Sequence, residues 1–168
     1  MSPPLFRMET SSEAAGRSAF SCGQEALDRY FQTQVTQDIR RRVASCFVAV
    51  ETAGGIVAAY HTLASAGIPI TEPPAELAKK LPRYPSIPAV RAGRLAVDAR
   101  FQGRGLGAAL LADALARVMA SGPAAYALLV DAKDESAAAF YRHHGFRPLL
   151  SHPRTLFLPV AGAGKIPR

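Results

Sequence analysis

The pattern of apolar positions changes character near the middle of the chain. Leu27, Tyr30, Phe31, Val35 and Ile39 recur at three- and four-residue steps, which predicts one buried stripe on a helix of period 3.6. Ser21-Cys22-Gly23-Gln24 has the S-x-x-Q form of a capping box and sets the expected helix start. Residues 45–51 and 56–64 are rich in β-branched and aromatic residues around Gly54-Gly55, which predicts a β-hairpin. Six prolines between positions 69 and 88 mark a surface connection, with a short helix over 76–81.

Beyond that point elements alternate: strand 90–97, helix 105–120, strand 126–130, helix 135–144, then strands near Arg147 and over 155–158. Gly122-Pro123 stops the first of these helices, and Gly145 suits the left-handed residue that ends the second. A strand-helix-strand order implies a crossover and parallel pairing. The expected class is therefore α/β (α+β), with a mixed central sheet, antiparallel in its first half and parallel in its second, flanked by helices.

At 168 residues the chain fits one domain, 1–168, with a frayed tail over 161–168. Cys22 and Cys46 are too few for a disulfide scaffold, and no pair of residues has metal-ligand spacing, so no metal is expected and a reducing, cytoplasmic setting is. The segment Met1-Ser-Pro-Pro-Leu-Phe-Arg lacks the form of a secretory leader. Asp113 and Arg117 interrupt the longest apolar stretch, which is shorter than the roughly 20 residues that span a bilayer, so no membrane partner is expected. His143 and His144 read as helix C-terminal charges, and His61 and His152 as isolated. Twenty Lys and Arg against thirteen Asp and Glu give a net charge of +7, which favours an anionic partner or serves solubility alone.

The chemistry concentrates in Gln102-Gly103-Arg104-Gly105-Leu106-Gly107-Ala108, which joins the strand ending at Val97 to an apolar helix. Glycines let backbone N–H groups approach an anion, the helix presents its unpaired N–H groups and positive end to the same ligand, and Arg104 adds a charge. A phosphate site follows. Gly103-x-Gly105-x-x-Ala108 also satisfies the dinucleotide fingerprint, with Asp131 about 20 residues on. That fingerprint normally opens a fold, whereas here a long hairpin-containing segment precedes it. The G-x-x-x-x-G-K-S/T and G-x-S-x-G patterns are absent.

The turn Q-G-R-G-L-G matches the R/Q-x-x-G-x-G/A motif of the GNAT acetyltransferases, whose fold the chain therefore resembles. More narrowly, the chain resembles the acetyltransferase toxins of bacterial type II toxin/antitoxin systems. The matching pieces are F-S-C-G-Q-E-A-L-D at 20–28, P-S-I-P-A-V at 85–90, G-R-L-A-V-D at 93–98, the turn itself, and A-F-Y-R-H-H-G-F at 139–146.

This resemblance implies acetyl-CoA as cosubstrate. Its pantetheine arm would lie along Leu95, Ala96 and Val97, its pyrophosphate on the amides of Gln102, Gly103, Arg104, Gly105, Leu106, Gly107 and Ala108, and Phe140 would border it. Tyr141 falls where the family carries a catalytic tyrosine, as general acid for the leaving thiolate; helical spacing turns Phe140 toward the core. No histidine or glutamate stands out as a base, and an α-amine of pKa about 8, against about 10.4 for lysine, needs none near neutral pH. The toxin resemblance supplies such an acceptor in the aminoacyl group of charged tRNA, with Arg40, Arg41, Arg42, Lys79, Lys80, Arg83, Arg91 and Arg94 as candidate tRNA contacts. It also implies a ribbon-helix-helix antitoxin as partner and a homodimer. The alternatives are a small amine or protein N-terminus as acceptor, and a non-enzymatic module that binds nucleic acid.

Overall fold

The structure, a computed structural model, describes residues 5–11 and 16–161; the expected fraying of the tail concerns residues outside that range from 162 on. The elements run β1 (Phe6–Thr10), α1 (Glu25–Arg29), a π-helical turn (Tyr30–Gln34), α2 (Val35–Arg40), β2 (Ser45–Glu51), β3 (Val57–Pro69), α3 (Ala75–Ala78), β4 (Ser86–Ala92), β5 (Leu95–Val97), α4 (Leu106–Ala120), β6 (Ala127–Asp131), α5 (Glu135–His143), β7 (Arg147–Pro148) and β8 (Thr155–Pro159). One sheet carries them in the order β1-β2-β3-β4-β6-β8-β7, with β5 also paired to β3.

The antiparallel first half and the crossover second half do share a sheet, but only β4 and β6 pair in parallel. β8 inserts antiparallel between β6 and β7, because the short link from β7 folds straight back as a hairpin would. β1 had no counterpart in the periodicity: Phe6 and Met8 alternate with Arg7 and Glu9 at the sheet edge, a pattern too short to stand out.

The buried stripe on the first helix holds, with Tyr30, Phe31 and Val35 buried, yet its start and regularity differ from expectation. The helix begins at Glu25 without a side-chain cap. Ser21 N–H instead donates to Asp98 Oδ2 at 3.1 Å, taking the amide that the Gln24 side chain of a capping box would have served, and Cys22 N–H donates to Asp28 Oδ1 of α1 at 2.8 Å. The π turn lets Phe31 stack on Tyr60, ring centroids 4.3 Å apart, while the Tyr60 hydroxyl donates to the Leu27 carbonyl at 2.7 Å. Such a wide turn inside an α-helix costs regular hydrogen bonds, here offset by aromatic burial.

The expected single strand over 90–97 is two. β4 starts earlier, at Ser86, and pairs with the far half of β3, while β5 pairs with its near half; Gly93-Arg94 make the break. The expected helix at 76–81 is the shorter α3, ending three residues earlier than read, since Leu81-Pro82 cannot continue it. Above the sheet, α4 and α5 bury Leu111, Leu115, Val118, Ala138 and Tyr141 against Leu128, Val130 and Leu156.

His61 is not isolated. It is fully buried, stacks near Phe47, and donates Nε2–H to Asp113 Oδ2 at 2.8 Å, where Arg117 Nε also arrives at 2.7 Å; a carboxylate can only accept, which fixes the imidazole's direction. Burial alone would raise the Asp113 pKa, but the bonds from His61 and Arg117 outweigh it and hold the carboxyl below its ordinary value. A depressed folded-state pKa adds stability above the unfolded value of about 3.9 and loses it as pH falls through the lower folded value. Asp113→Asn is therefore expected to cost about 1–3 kcal/mol at pH 7 and progressively less toward pH 3, as urea denaturation across that range would record.

Candidate active site

The parallel pairing of β4 with β6 stops at Ala92↔Val130. β5 then follows β3, leaving its other edge unpaired toward a cleft of about 540 Å³. Leu27 of α1, Arg94 and Leu95 from the break, Asp131 from β6 and Phe140 and Tyr141 from α5 line it. The fork in the sheet thus makes an opening into which an extended ligand can add as a strand along Leu95 to Val97, with Ala96 buried and its neighbours half-buried.

At the end of β5 the chain is held firmly before it turns. Asp98 N–H donates to the Ala58 carbonyl at 2.8 Å, beside a register shift between β2 and β3. The buried Asp98 carboxylate accepts from Ser21 N–H, from Arg100 N–H and from the Arg100 guanidinium at 2.9–3.1 Å; burial opposes its charge, and these bonds prevail, lowering its pKa. The Gln102 side chain donates at 3.0 Å to the carbonyls of Cys22 and Val97, pinning the turn to the segment ahead of α1.

Gly103 and Gly105 have φ of 80° and 79°, and a Cβ on either would meet open space. These are left-handed positions that glycine fills without strain, with room outside for a ligand. Gly105 is the N-cap of α4 and brings no side-chain bond, so the amides of Leu106, Gly107 and Ala108 lack the partners a cap supplies. An uncapped helix start beside an open, side-chain-free turn fits the diphosphate of a coenzyme. Gly107 has another duty: its would-be Cβ lies 3.2 Å from Phe140 Cζ, so this glycine lets α5 close on α4.

Tyr141 sits in the cleft because of how α5 ends. Phe146 N–H donates to the Tyr141 carbonyl at 3.1 Å and Gly145 N–H to the Arg142 carbonyl at 3.0 Å, with Gly145 at φ 92° and the Tyr141 and Phe146 rings 5.6 Å apart. This is a Schellman ending with its hydrophobic contact. The expectation that Phe140 faces the core and Tyr141 does not is reversed: Tyr141 is 6% exposed, while Phe140 is half-buried against Gly107. Burial first, and the Asp131 charge second, push the Tyr141 pKa up to about 12, so the phenol keeps its proton throughout the neutral range. His144 is no helix-end charge, since burial and then His143 lower its pKa.

The basic residues fall into separate places. Arg94 lines the cleft with its guanidinium 3.5 Å from the Tyr30 ring centroid, and Arg91 pairs with Asp131 beside it. Arg40, Arg41 and Arg42 are exposed at the end of α2, Arg42 with a left-handed φ of 59°. Lys79, Lys80 and Arg83 lie before the start of β4, roughly 20 Å of strand away from its cleft end. Asp131 is not evident from the sequence as a cleft residue, only as a strand-end carboxylate that suits the dinucleotide fingerprint; here it bonds Arg91 and Thr155. Among the described residues no group of His, Cys, Asp and Glu could hold a metal ion, and no helix is long and apolar enough to cross a membrane.

Residues 43–148 match the family model of the acetyltransferase (GNAT) domain. A "tRNA-acetylating toxin" from Mycobacterium tuberculosis (strain ATCC 25618 / H37Rv) is 33% identical over 154 residues, covering 90% of both chains. Among solved structures, AtaT complexed with acetyl-methionyl-tRNAfMet superposes with a TM-score of 0.85 at 30% identity over 94% of this chain and 96% of that one. A mutant AtaT toxin bound to the C-terminus of the antitoxin AtaR and acetyl-CoA gives 0.77 at 27% identity over 95% and 96%. That likeness runs through β5, the glycine turn and α5 and extends over nearly the whole chain, which belongs to the GNAT acetyltransferase family.

Proposed function

We propose that the protein transfers the acetyl group of acetyl-CoA to the α-amine of the aminoacyl group on charged tRNA, and so acts as the toxin of a toxin/antitoxin pair. The observation that carries this reading is an open glycine turn at the start of α4 set one side chain away from the cleft that holds the buried phenol of Tyr141: Phe140 lines that cleft and is the ring that Gly107 faces. The likeness to a tRNA-acetylating toxin and to AtaT with acetyl-methionyl-tRNAfMet supplies the acceptor.

In this reading the amides from Gln102 to Ala108 bind the diphosphate, Arg104 adds charge, and the free edge of β5 at Leu95, Ala96 and Val97 aligns the pantetheine arm, with Phe140 alongside. The bound coenzyme supplies an acetyl thioester. As the amine nitrogen bonds to the thioester carbon and the C–S bond breaks, Tyr141 donates its proton to the sulfur, and the proton that the amine loses restores the phenol by way of solvent; the high pKa keeps the phenol protonated beforehand. Arg94 contacts the tRNA end nearest the chemistry, and Arg91 adds positive charge there while paired with Asp131. Arg40, Arg41, Arg42, Lys79, Lys80 and Arg83 meet backbone phosphate farther off, a contribution that weakens with salt. A ribbon-helix-helix antitoxin, a homodimer and a cytoplasmic setting complete the proposal.

Incubation with labelled acetyl-CoA and a mixture of charged tRNAs is expected to place label in the tRNA fraction, released by mild base with the aminoacyl ester. Label confined to small amines or protein N-termini would overturn the acceptor.

A further inference from the structure

The two faces of the forked sheet carry different chemistry. Leu128 and Val130 pack with Tyr141 beneath α4 and α5, so strand alternation sends Leu129 and Asp131 to the opposite face, where Leu129 packs with Phe157. The same alternation puts Arg91 of β4 and Thr155 of β8 on that opposite face. There Asp131 Oδ1 accepts from the Thr155 hydroxyl at 3.0 Å and Oδ2 from Arg91. Three strands thus converge on one carboxylate, which lies just past the last β4–β6 pair and lines the same cleft as Tyr141. It remains 43% exposed.

The pair joins β4 to β6 and at the same time leaves Asp131 partly exposed in the lining of the cleft. Resting on the acceptor reading above, we propose that Asp131, oriented by Arg91 and Thr155, is the residue that receives the N–H groups of the incoming α-amine. A carboxylate has about four acceptor sites, and two bonds leave about half of them for a ligand. The amine then approaches the thioester from the Asp131 face, and the departing sulfur takes its proton from Tyr141 on the other. Each group then serves one reacting atom, the carboxylate holding the amine nitrogen and the phenol facing the sulfur. Arg91 and Thr155 are positioning residues, since they act through Asp131.

The test compares wild type with Asp131→Asn, which keeps the side chain's shape and removes its charge. Acetyl-CoA affinity by calorimetry is expected to be unchanged, reporting an intact fold. The kcat/KM for aminoacyl-tRNA is expected to fall about ten- to a hundred-fold through KM, the loss of one charge-assisted hydrogen bond. The decisive readout is the ratio of Kd values for hydroxyacyl-tRNA, in which a hydroxyl replaces the α-amine, and aminoacyl-tRNA. Wild type should favour the amine, and Asp131→Asn should bring the ratio close to one; a ratio unchanged by the substitution overturns the assignment. If Asp131→Asn loses acetyl-CoA binding, Thr155→Val, which frees Oδ1 while leaving Arg91 in place, is read instead, with a smaller fall in the same ratio expected and no fall contradicting the role. Wild-type protein that acetylates no aminoacyl-tRNA overturns the acceptor reading alone, and the ratio is then measured on a small α-amino ester and its α-hydroxy counterpart.

Discussion

Tyr141→Phe is expected to slow acetyl transfer by about a hundred- to ten-thousand-fold, the range for losing a positioned general acid, while acetyl-CoA still binds. The phenylalanine ring keeps the contact with Phe146 and the helix ending that places it, so packing is retained and only the proton is removed. Stability should therefore change little, and a thermal melt alongside the kinetics separates loss of chemistry from loss of fold. The pH dependence carries a second signature. Because burial and Asp131 lift the phenol to about 12, wild-type activity should not decline from phenol ionisation at pH 8 to 9, where an unperturbed tyrosine of pKa about 10 would begin to lose its proton. A rate that falls with a midpoint near 9 would mean that some other acid protonates the sulfur.

The second large effect is expected at the turn. Gly105→Val forces a β-branched residue into a φ of 79°, a strain on the order of 1–3 kcal/mol, and projects methyl groups into the open space beside the first amides of α4. Those amides would no longer reach a diphosphate. Acetyl-CoA affinity should fall on the order of a hundred-fold or more, since two charge-assisted bonds of about 1.5–3 kcal/mol each are at stake. Calorimetry reads this directly. Gly107→Ala offers an instructive contrast, because its Cβ would press on Phe140: the expected effect there is a shifted α5 and a slower reaction, with coenzyme affinity less affected.

Much of this molecule is legible without coordinates, and the reasons are local. The stripe of Tyr30, Phe31 and Val35, the Gly54-Gly55 hairpin, the Gly145 helix end and the glycine turn before α4 each follow from short-range rules that tertiary context did not override. What escaped the sequence depends on partners far along the chain. Asp98, seventy-seven residues on, takes the amide of Ser21, so a sound capping box goes unused. Tyr60 pulls the first helix into a π turn through Leu27. His61 finds Asp113 fifty-two residues away, and no spacing rule connects them.

The candidate site was legible as a motif but not as a volume. Nothing in the run from Val90 to Val97 announces that Gly93 and Arg94 split it and steer β5 away from β6, yet that fork makes the cleft. Phe140 and Tyr141 exchanged their expected orientations because helical periodicity fixes the angle between adjacent residues and not which of them meets the sheet. Asp131 was visible as a strand-end carboxylate, but its bonds to Arg91 and Thr155 come from neighbouring strands whose order required the three-dimensional sheet.

A crystal structure of the protein with acetyl-CoA tests the central claim most directly. Diphosphate oxygens within hydrogen-bond reach of the Gly103 to Ala108 amides, and the sulfur beside the Tyr141 hydroxyl, are the predicted result. A coenzyme seated elsewhere, or a thioester out of reach of that phenol, would contradict it.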